Sequence, residues 1–403
     1  MEFDTVRRIA SAPNSRCRIS TDQDFETLWQ LPDFPMTEAI GPFDPGFPSY
    51  DLELRISLPT GHVQAFSKST TSELYSAADY RYRTKSSASH GLGGRATKFV
   101  NFAMKSLKGR KWNCLVDIGG NDLDVARQLK AMARSTYVID PVCAADDGRT
   151  IDGVNVVGAR VEDVDFSILE GKPDVIVMRH TLEHIDDPLR VLKMLESVIE
   201  DKSLLLIEVP DFGLAVESLR LETVFHQHVN YFDGWSLNYL LSCVGFRVIA
   251  EEPFVRGPSG GSVLVAAVRD RTAAVSFRGR PDLETFISNV KKSIFHFQRS
   301  FESAGYALSG CREPIFGYGA SLMLPAIAYH IGDEFARIDT VIDDDEGKAG
   351  MSYRNLNVRV ISSKSMVLPS DSSILITSFE SERAIRAAVL KLEPRRIIGP
   401  QIC

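Results

Sequence analysis

The residues of this chain best suited to chemistry begin at a turn, Asp117-Ile118-Gly119-Gly120-Asn121-Asp122, which ends an apolar run starting at Cys114. Glycines there let a ligand approach the backbone where a helix begins, and the acids can bond a cationic or hydroxylated group. The string lacks the GxGxxG pattern of dinucleotide sites. Two carboxylates beside the loop suit the positive amino and sulfonium groups of S-adenosylmethionine (SAM) better than a pyrophosphate. About twenty residues later Asp140 and Pro141 close a second run, where a carboxylate can accept both ribose hydroxyls. Glu162 and Asp163 follow a third run and suit an adenine amino group. Arg179 and His180 close the fourth, DVIVMRH, and complete the candidate cofactor set.

The elements that must hold these residues are short apolar runs separated by helix-like stretches. CLVDIGG, TYVIDP, GVNVVGARVED, DVIVMRHTLEH and LLLIEVPD read as buried parallel strands of a doubly wound α/β sheet. A helix is expected over residues 93–108, another from Asn121 to Arg134, and a third at WSLNYLLSCVG. FRVIAEEPFV and GGSVLVAAVRD then read as an antiparallel edge. A helix of about twenty residues is expected over 282–304. From residue 314 a second strand, Gly loop, helix, strand and acid series begins. Upstream, six prolines between Pro32 and Pro59 forbid long helices and favour short strands and turns. The expected division is 1–92, 93–270 and 271–403.

Hydrophobic residues make up 44% and charged residues 25%, which excludes a disordered or collagen-like chain. The net charge of −7 argues against nucleic acid or an anionic membrane as partner, and no apolar run reaches the length of a membrane span. Six scattered cysteines without a CxxC, and an N-terminus without an apolar leader segment, fit a reducing cytoplasm. The expected protein is soluble and cytoplasmic, a monomer or homodimer.

Beyond the Gly loop the residues resemble a family, the SAM-dependent sugar C-methyltransferases. VDIGGNDLDVARQL is similar to that family's acidic strand and Gly loop, and HTLEHIDDPLRVLKML to its post-strand motif. IEVPDFGLAVESLRLETVFHQHVNYFDGWSLNYLLSCVGFRV follows its central signature, and IFGYGASLMLPAIAY with VIDDDEGKAG resembles its C-terminal Rossmann-like domain. The resemblance implies a class I SAM-methyltransferase sheet and a nucleotide-linked keto-deoxysugar as substrate, with S-adenosylhomocysteine as by-product. It implies His228 as the base that removes a carbon proton, assisted by Gln227, with His184 beside the sugar and Tyr80 or Tyr82 closing the pocket. His226, Tyr231, Gly317, Tyr318, Gly319 and Ser321 would meet the substrate, and His180 would stand beside the reacting methyl.

The chain also departs from that family. Two zinc-binding CxxC pairs are expected near the N-terminus, but the corresponding segments read Cys17-Arg-Ile-Ser20 and Ser57-Leu-Pro-Thr60. Hydroxyls do not replace thiolates on zinc, so no zinc is expected there. Packing by Trp29, Phe34, Phe43, Phe47 and Phe66 should hold the segment instead. The family's Tyr-His-Glu-His reads Phe225-His226-Gln227-His228 here, without the carboxylate beside the base. The lysine usual after the C-terminal Gly loop is replaced by Leu322-Met323. Two other readings remain: SAM-dependent methylation of an oxygen, a nitrogen or another carbon acid, and SAM binding without turnover. An NAD-dependent oxidoreductase is disfavoured because neither Gly loop has the GxGxxG pattern.

Overall fold

The computed structural model describes residues 16–37, 39–67, 93–107, 109–255, 260–270, 279–379 and 382–400. The first strands are β1 (Phe25–Pro35), β2 (Ser49–Ser57) and β3 (Val63–Ser67), paired antiparallel. β1 is longer than its prolines suggest. It lies at the sheet edge, where a missing N–H can face outward, and its register breaks between Thr27 and Trp29 and between Leu31 and Phe34. Trp29, Phe34 and Phe66 are buried as expected. Phe43 is not: it is exposed, and Phe47 is half-buried beneath the Arg354 guanidinium.

The helix expected before the Gly loop is α1 (Gly93–Leu107), which buries Phe99, Val100, Ala103 and Leu107 at helical spacing. β4 (Trp112–Ile118) then leads through the loop into α2 (Asp124–Leu129). The sequence predicts this helix through Arg134, but β5 (Ala133–Ile139) has already begun, paired in parallel from Trp112↔Ala133. Strand pairing overrides helix propensity over the last residues. β6 (Thr150–Ile151) and β7 (Val154–Val157) form a short hairpin beyond β5. β8 (Val175–Arg179), α3 (Pro188–Val198) and β9 (Leu204–Pro210) extend the sheet on the other side of β4. α4 (Phe212–Glu217) follows, and then β10 (Asn230–Tyr231), which leaves this sheet to pair with β3. After α5 (Gly234–Cys243), β11 (Phe246–Val255) and β12 (Gly261–Arg269) close the sheet as its antiparallel edge. The eight-stranded order is β11-β12-β9-β8-β4-β5-β7-β6, so the chain reverses direction between β4 and β8. Ligands of doubly wound sheets sit beyond the strand ends at such a reversal.

α6 (Leu283–Ser309) runs 27 residues. Beyond it β13 (Ile315–Tyr318), α7 (Leu324–Ile331), β14 (Thr340–Asp343), β15 (Ser352–Tyr353), β16 (Leu356–Ser362), β17 (Ser373–Ile376), α8 (Glu382–Leu390) and β18 (Arg396–Ile398) form a second α/β unit. Its six strands are ordered β15-β16-β14-β13-β17-β18. The apolar face of α6 joins this unit to the N-terminal sheet: Phe297 meets the Trp29 ring edge-on at 5.7 Å, and the His330 ring stacks on Trp29 at 5.5 Å. Among the described residues no helix is long and apolar enough to cross a membrane.

Candidate active site

The Gly119 loop lies at the chain reversal, against the loop that follows β8. Gly119 has φ +76°, and a Cβ there would stand 2.2 Å from Thr181 Oγ1, so only glycine fits. A Cβ at Gly120 would stand 2.9 Å from Asp117 Oδ2. Asp117 is buried, its Oδ2 without a hydrogen-bond partner among the described residues, and desolvation pushes its carboxyl up to about 7. Asn121 Oδ1 is likewise buried without a partner among the described residues. A buried acid, a buried amide oxygen and a glycine cradle fit the positive amino-acid end of SAM.

Asp140 accepts the Asn121 N–H at 2.9 Å and the Val142 N–H at 2.8 Å, one on each oxygen, where Pro141 starts a 3-10 turn. Burial raises its pKa, while these bonds oppose the shift. Two hydrogen bonds leave a carboxylate capacity for two more, as paired ribose hydroxyls require. Glu162, half-buried, and Asp163, exposed, sit on the turn after β7 along the same edge.

Arg179 and His180 bind protein carboxylates. Arg179 Nε donates to Glu208 Oε2 at 2.8 Å. His180, in the left-handed region at φ +50°, has Nδ1 3.3 Å from Glu183 Oε1 and Nε2 3.6 Å from Glu208 Oε1. Desolvation disfavours its charge, but Glu208 and Glu183 outweigh that and raise its pKa; Glu208 is correspondingly held low against its own desolvation. The His180 ring is thus engaged by two carboxylates that favour its charged form.

Two bonds stitch the β8 loop to the His226–His228 segment. The Val229 N–H donates to the Glu183 carbonyl at 3.0 Å, and His184 Nδ1–H to the Gln227 carbonyl at 2.8 Å. They bring the His184 and His228 rings to 4.9 Å, with Phe225 against His228 at 4.1 Å. Glu183, which the sequence reading passed over inside HTLEH, joins them: each of the three brings an oxygen or ring nitrogen within 4.8 Å of the others.

The neighbouring residues face elsewhere. His226 Nε2 donates to the Phe34 carbonyl at 3.0 Å, and burial lowers its pKa. Gln227 is bound at both ends by Thr37, accepting from its hydroxyl at 3.0 Å and donating to its carbonyl at 3.2 Å. Gln227 therefore clamps the N-terminal segment instead of turning its side chain to the histidine pair. Tyr231 is buried with its hydroxyl on the Phe225 backbone, and desolvation raises its pKa. His226 and Tyr231 thus hold the fold instead of facing a substrate. Tyr80 and Tyr82 lie outside the described residues.

In the C-terminal unit, Gly317 lies in β13, where a Cβ would come within 2.9 Å of Val341, and Tyr318 donates to Asp344 at 2.6 Å. Gly319 turns at φ +105° and Ser321 donates to the Thr377 carbonyl. Asp343, the acid ending β14, accepts from the Ala320 N–H at 2.7 Å and from Lys348 at 3.0 Å, so the chain's own groups bind it. Lys348 also donates to the Ala320 carbonyl of this loop at 3.0 Å. This unit also grips the segment before β2: Asn355 donates to the Met36 carbonyl at 2.6 Å and Ser352 to that of Gly41 at 2.8 Å.

In the degenerate zinc segment Cys17 Sγ is 3.5 Å from Thr60 Oγ1, both buried. Arg18 beside it donates to the Ala65 and Val229 carbonyls, each at 2.8 Å, and burial lowers its pKa to about 10. His62 Nε2 lies 3.3 Å from Asn230 Oδ1. One thiol among hydroxyls does not fit zinc, and these bonds hold the segment in its place.

Residues 89–251 match a family described as "Methyltransferase domain". C-methyltransferase NovU of Streptomyces niveus is 26% identical over 121 residues, 30% of this chain and 28% of that protein. The match thus spans little more than a quarter of that relative. Among solved structures, magnesium protoporphyrin IX methyltransferase of Synechocystis PCC 6803 aligns at 11% identity over 44% of this chain and 79% of that chain, TM-score 0.33. N-methyltransferase NodS of Bradyrhizobium japonicum aligns at 10% identity over 44% and 95%, also at TM-score 0.33. Alignments at such scores say nothing further about this chain. The matched stretch falls on the central unit, whose doubly wound α/β sheet reverses its strand order at the Gly119 loop, and this part of the chain is similar to methyltransferase domains.

Proposed function

We propose that this chain transfers a methyl group from SAM to a carbon of a small metabolite, with a nucleotide-linked keto sugar as the favoured class. The observation that carries the reading is the His184–His228 pair, 4.9 Å apart and held to the loop that follows β8 at the chain reversal. When bound, SAM supplies an electrophilic methyl on a positive sulfur. Asp117, Asn121 and Asp140 orient it through its amino group and ribose. His228 would take the proton from the carbon next to a ketone, and that carbon's electron pair would form the new bond to the methyl as the methyl–sulfur bond breaks, its electrons staying on the sulfur of the departing S-adenosylhomocysteine. The base suits imidazole, whose ordinary pKa lies close to neutrality.

A second reading, methylation of an oxygen, nitrogen or other carbon acid, uses the same groups, with His184 or His228 as the base. Product analysis separates the two. Incubation with methyl-13C-labelled SAM and a panel of nucleotide-linked keto-deoxysugars should give a carbon-bonded methyl in the 13C spectrum. An ether or amine methyl would select the second reading, and unconsumed SAM with every acceptor would leave binding without turnover.

A further inference from the structure

We propose that Glu183 is a positioning residue for the two reacting imidazoles, its buried carboxylate supplying the counter-charge that holds His184 and His228 ready to take a proton. This rests on the reading of the His184–His228 pair given above. Glu183 is only 2% exposed, and neither carboxylate oxygen has a hydrogen-bond partner among the described residues. A carboxylate buried that deeply is costly unless positive charge stands close by. The groups around it are imidazoles: His180 Nδ1 lies 3.3 Å and His184 Nε2 3.9 Å from Oε1, and His228 completes the cluster.

The His184 tautomer follows from its other contact. The Gln227 carbonyl can only accept, so the proton sits on Nδ1, and Nε2 is the atom turned toward Glu183. A proton arriving on that face meets the carboxylate. Gln227, next to His228 in the chain, gives no such help, because both ends of its side chain are bound to Thr37. Glu208 is engaged by Arg179 at 2.8 Å and by His180. Tyr231, with its ring 6.3 Å from that of His228, points its hydroxyl at the Phe225 backbone. Among the described residues, His180, His184, His228, Glu208, Arg179 and Tyr231 are thus titratable and charged groups at this cluster, and Glu183 is the carboxylate set between the imidazoles.

The test needs no acceptor substrate. The full chain, 15N-labelled at histidine and saturated with S-adenosylhomocysteine, is titrated by NMR from about pH 5 to about pH 9, the range in which imidazole changes charge. His184 should titrate above His226, which is buried without a carboxylate contact. Glu183→Gln should lower the His184 midpoint by about one unit or more, His228 moving in the same direction, while exposed His296 stays put and Glu183→Asp recovers part of the shift. A His184 midpoint at or below that of His226 overturns the proposal. So does a folded Glu183→Gln variant with unchanged midpoints. A bound equivalent of divalent metal in the unaltered chain, lost in Glu183→Gln, would also overturn it by making the three groups ligands. Failure of the methylation reading would appear separately, as no methyl transfer despite the expected shifts.

Discussion

At the scale of single residues, Asp117 should make the proposed SAM site pH-dependent. Burial raises its pKa to about 7, so the ligand-free site holds a proton through the mildly acid range. A cationic ligand favours the ionised form, and SAM affinity should therefore rise between about pH 5 and pH 7 and then level off. Calorimetric titration across that range checks it, and Asp117→Asn should flatten the curve. For folding, the sign runs the other way. The Asp117 contribution is fully present below its unfolded pKa near 4 and is lost as pH rises through about 7. Asp140→Ala removes an acceptor of charge-assisted bonds worth ~1.5–3 kcal/mol and should weaken SAM roughly tenfold to a hundredfold. Unchanged affinity would remove Asp140 from the ribose. The strand, the turn and the later acid that carry Asp117, Gly119 and Asp140 were legible as elements because that pattern is local: a strand, a turn, and an acid one strand later. Glu183 was not, because its burial among histidines depends on two loops brought together by long-range contacts. Glu208, a single acid inside the apolar run LLLIEVPD, carried a readable signal of a buried charge pair.

At the scale of elements, the loops after β4 and β8 fit each other with no room for a methyl group. Gly119→Ala would force a Cβ into Thr181, whose hydroxyl donates to the Ile118 carbonyl at 3.0 Å, in a left-handed backbone. Strain and clash together should cost about 2 kcal/mol or more in urea unfolding, and adding Thr181→Ala should recover part of it. The Gln227–Thr37 clamp joins the histidine segment to the N-terminal sheet. Gln227→Ala leaves buried Thr37 groups unpaired and should cost about 1–3 kcal/mol, read as a lower urea midpoint. The central strands were legible from their apolar runs, since parallel strands are buried on both faces. The end of α2 was not, because the parallel register with β4 decides where β5 begins. β10 was missed for a related reason: two residues pair with β3 far upstream, and no local pattern records that.

At the scale of the whole molecule, one apolar core runs through the N-terminal sheet, α6 and the C-terminal unit, with Phe297 fully buried between Trp29 and His330. Phe297→Ala should cost about 3–5 kcal/mol, read from the unfolding midpoint. The two α/β units were legible as repeating strand, loop and helix texture. Their union through the aromatic residues of the first sheet was not, since contacts between distant segments leave no periodic trace.

The proposed methylation of carbon requires His228 to remove a carbon proton while the donor site is filled. With S-adenosylhomocysteine bound in deuterated water, the chain should exchange the proton next to the ketone of a nucleotide-linked keto-deoxysugar offered as the proposed acceptor, followed by 1H NMR. His228→Ala should slow that exchange by roughly a hundredfold or more while leaving S-adenosylhomocysteine binding intact. Exchange at the unaltered rate in His228→Ala would contradict the account.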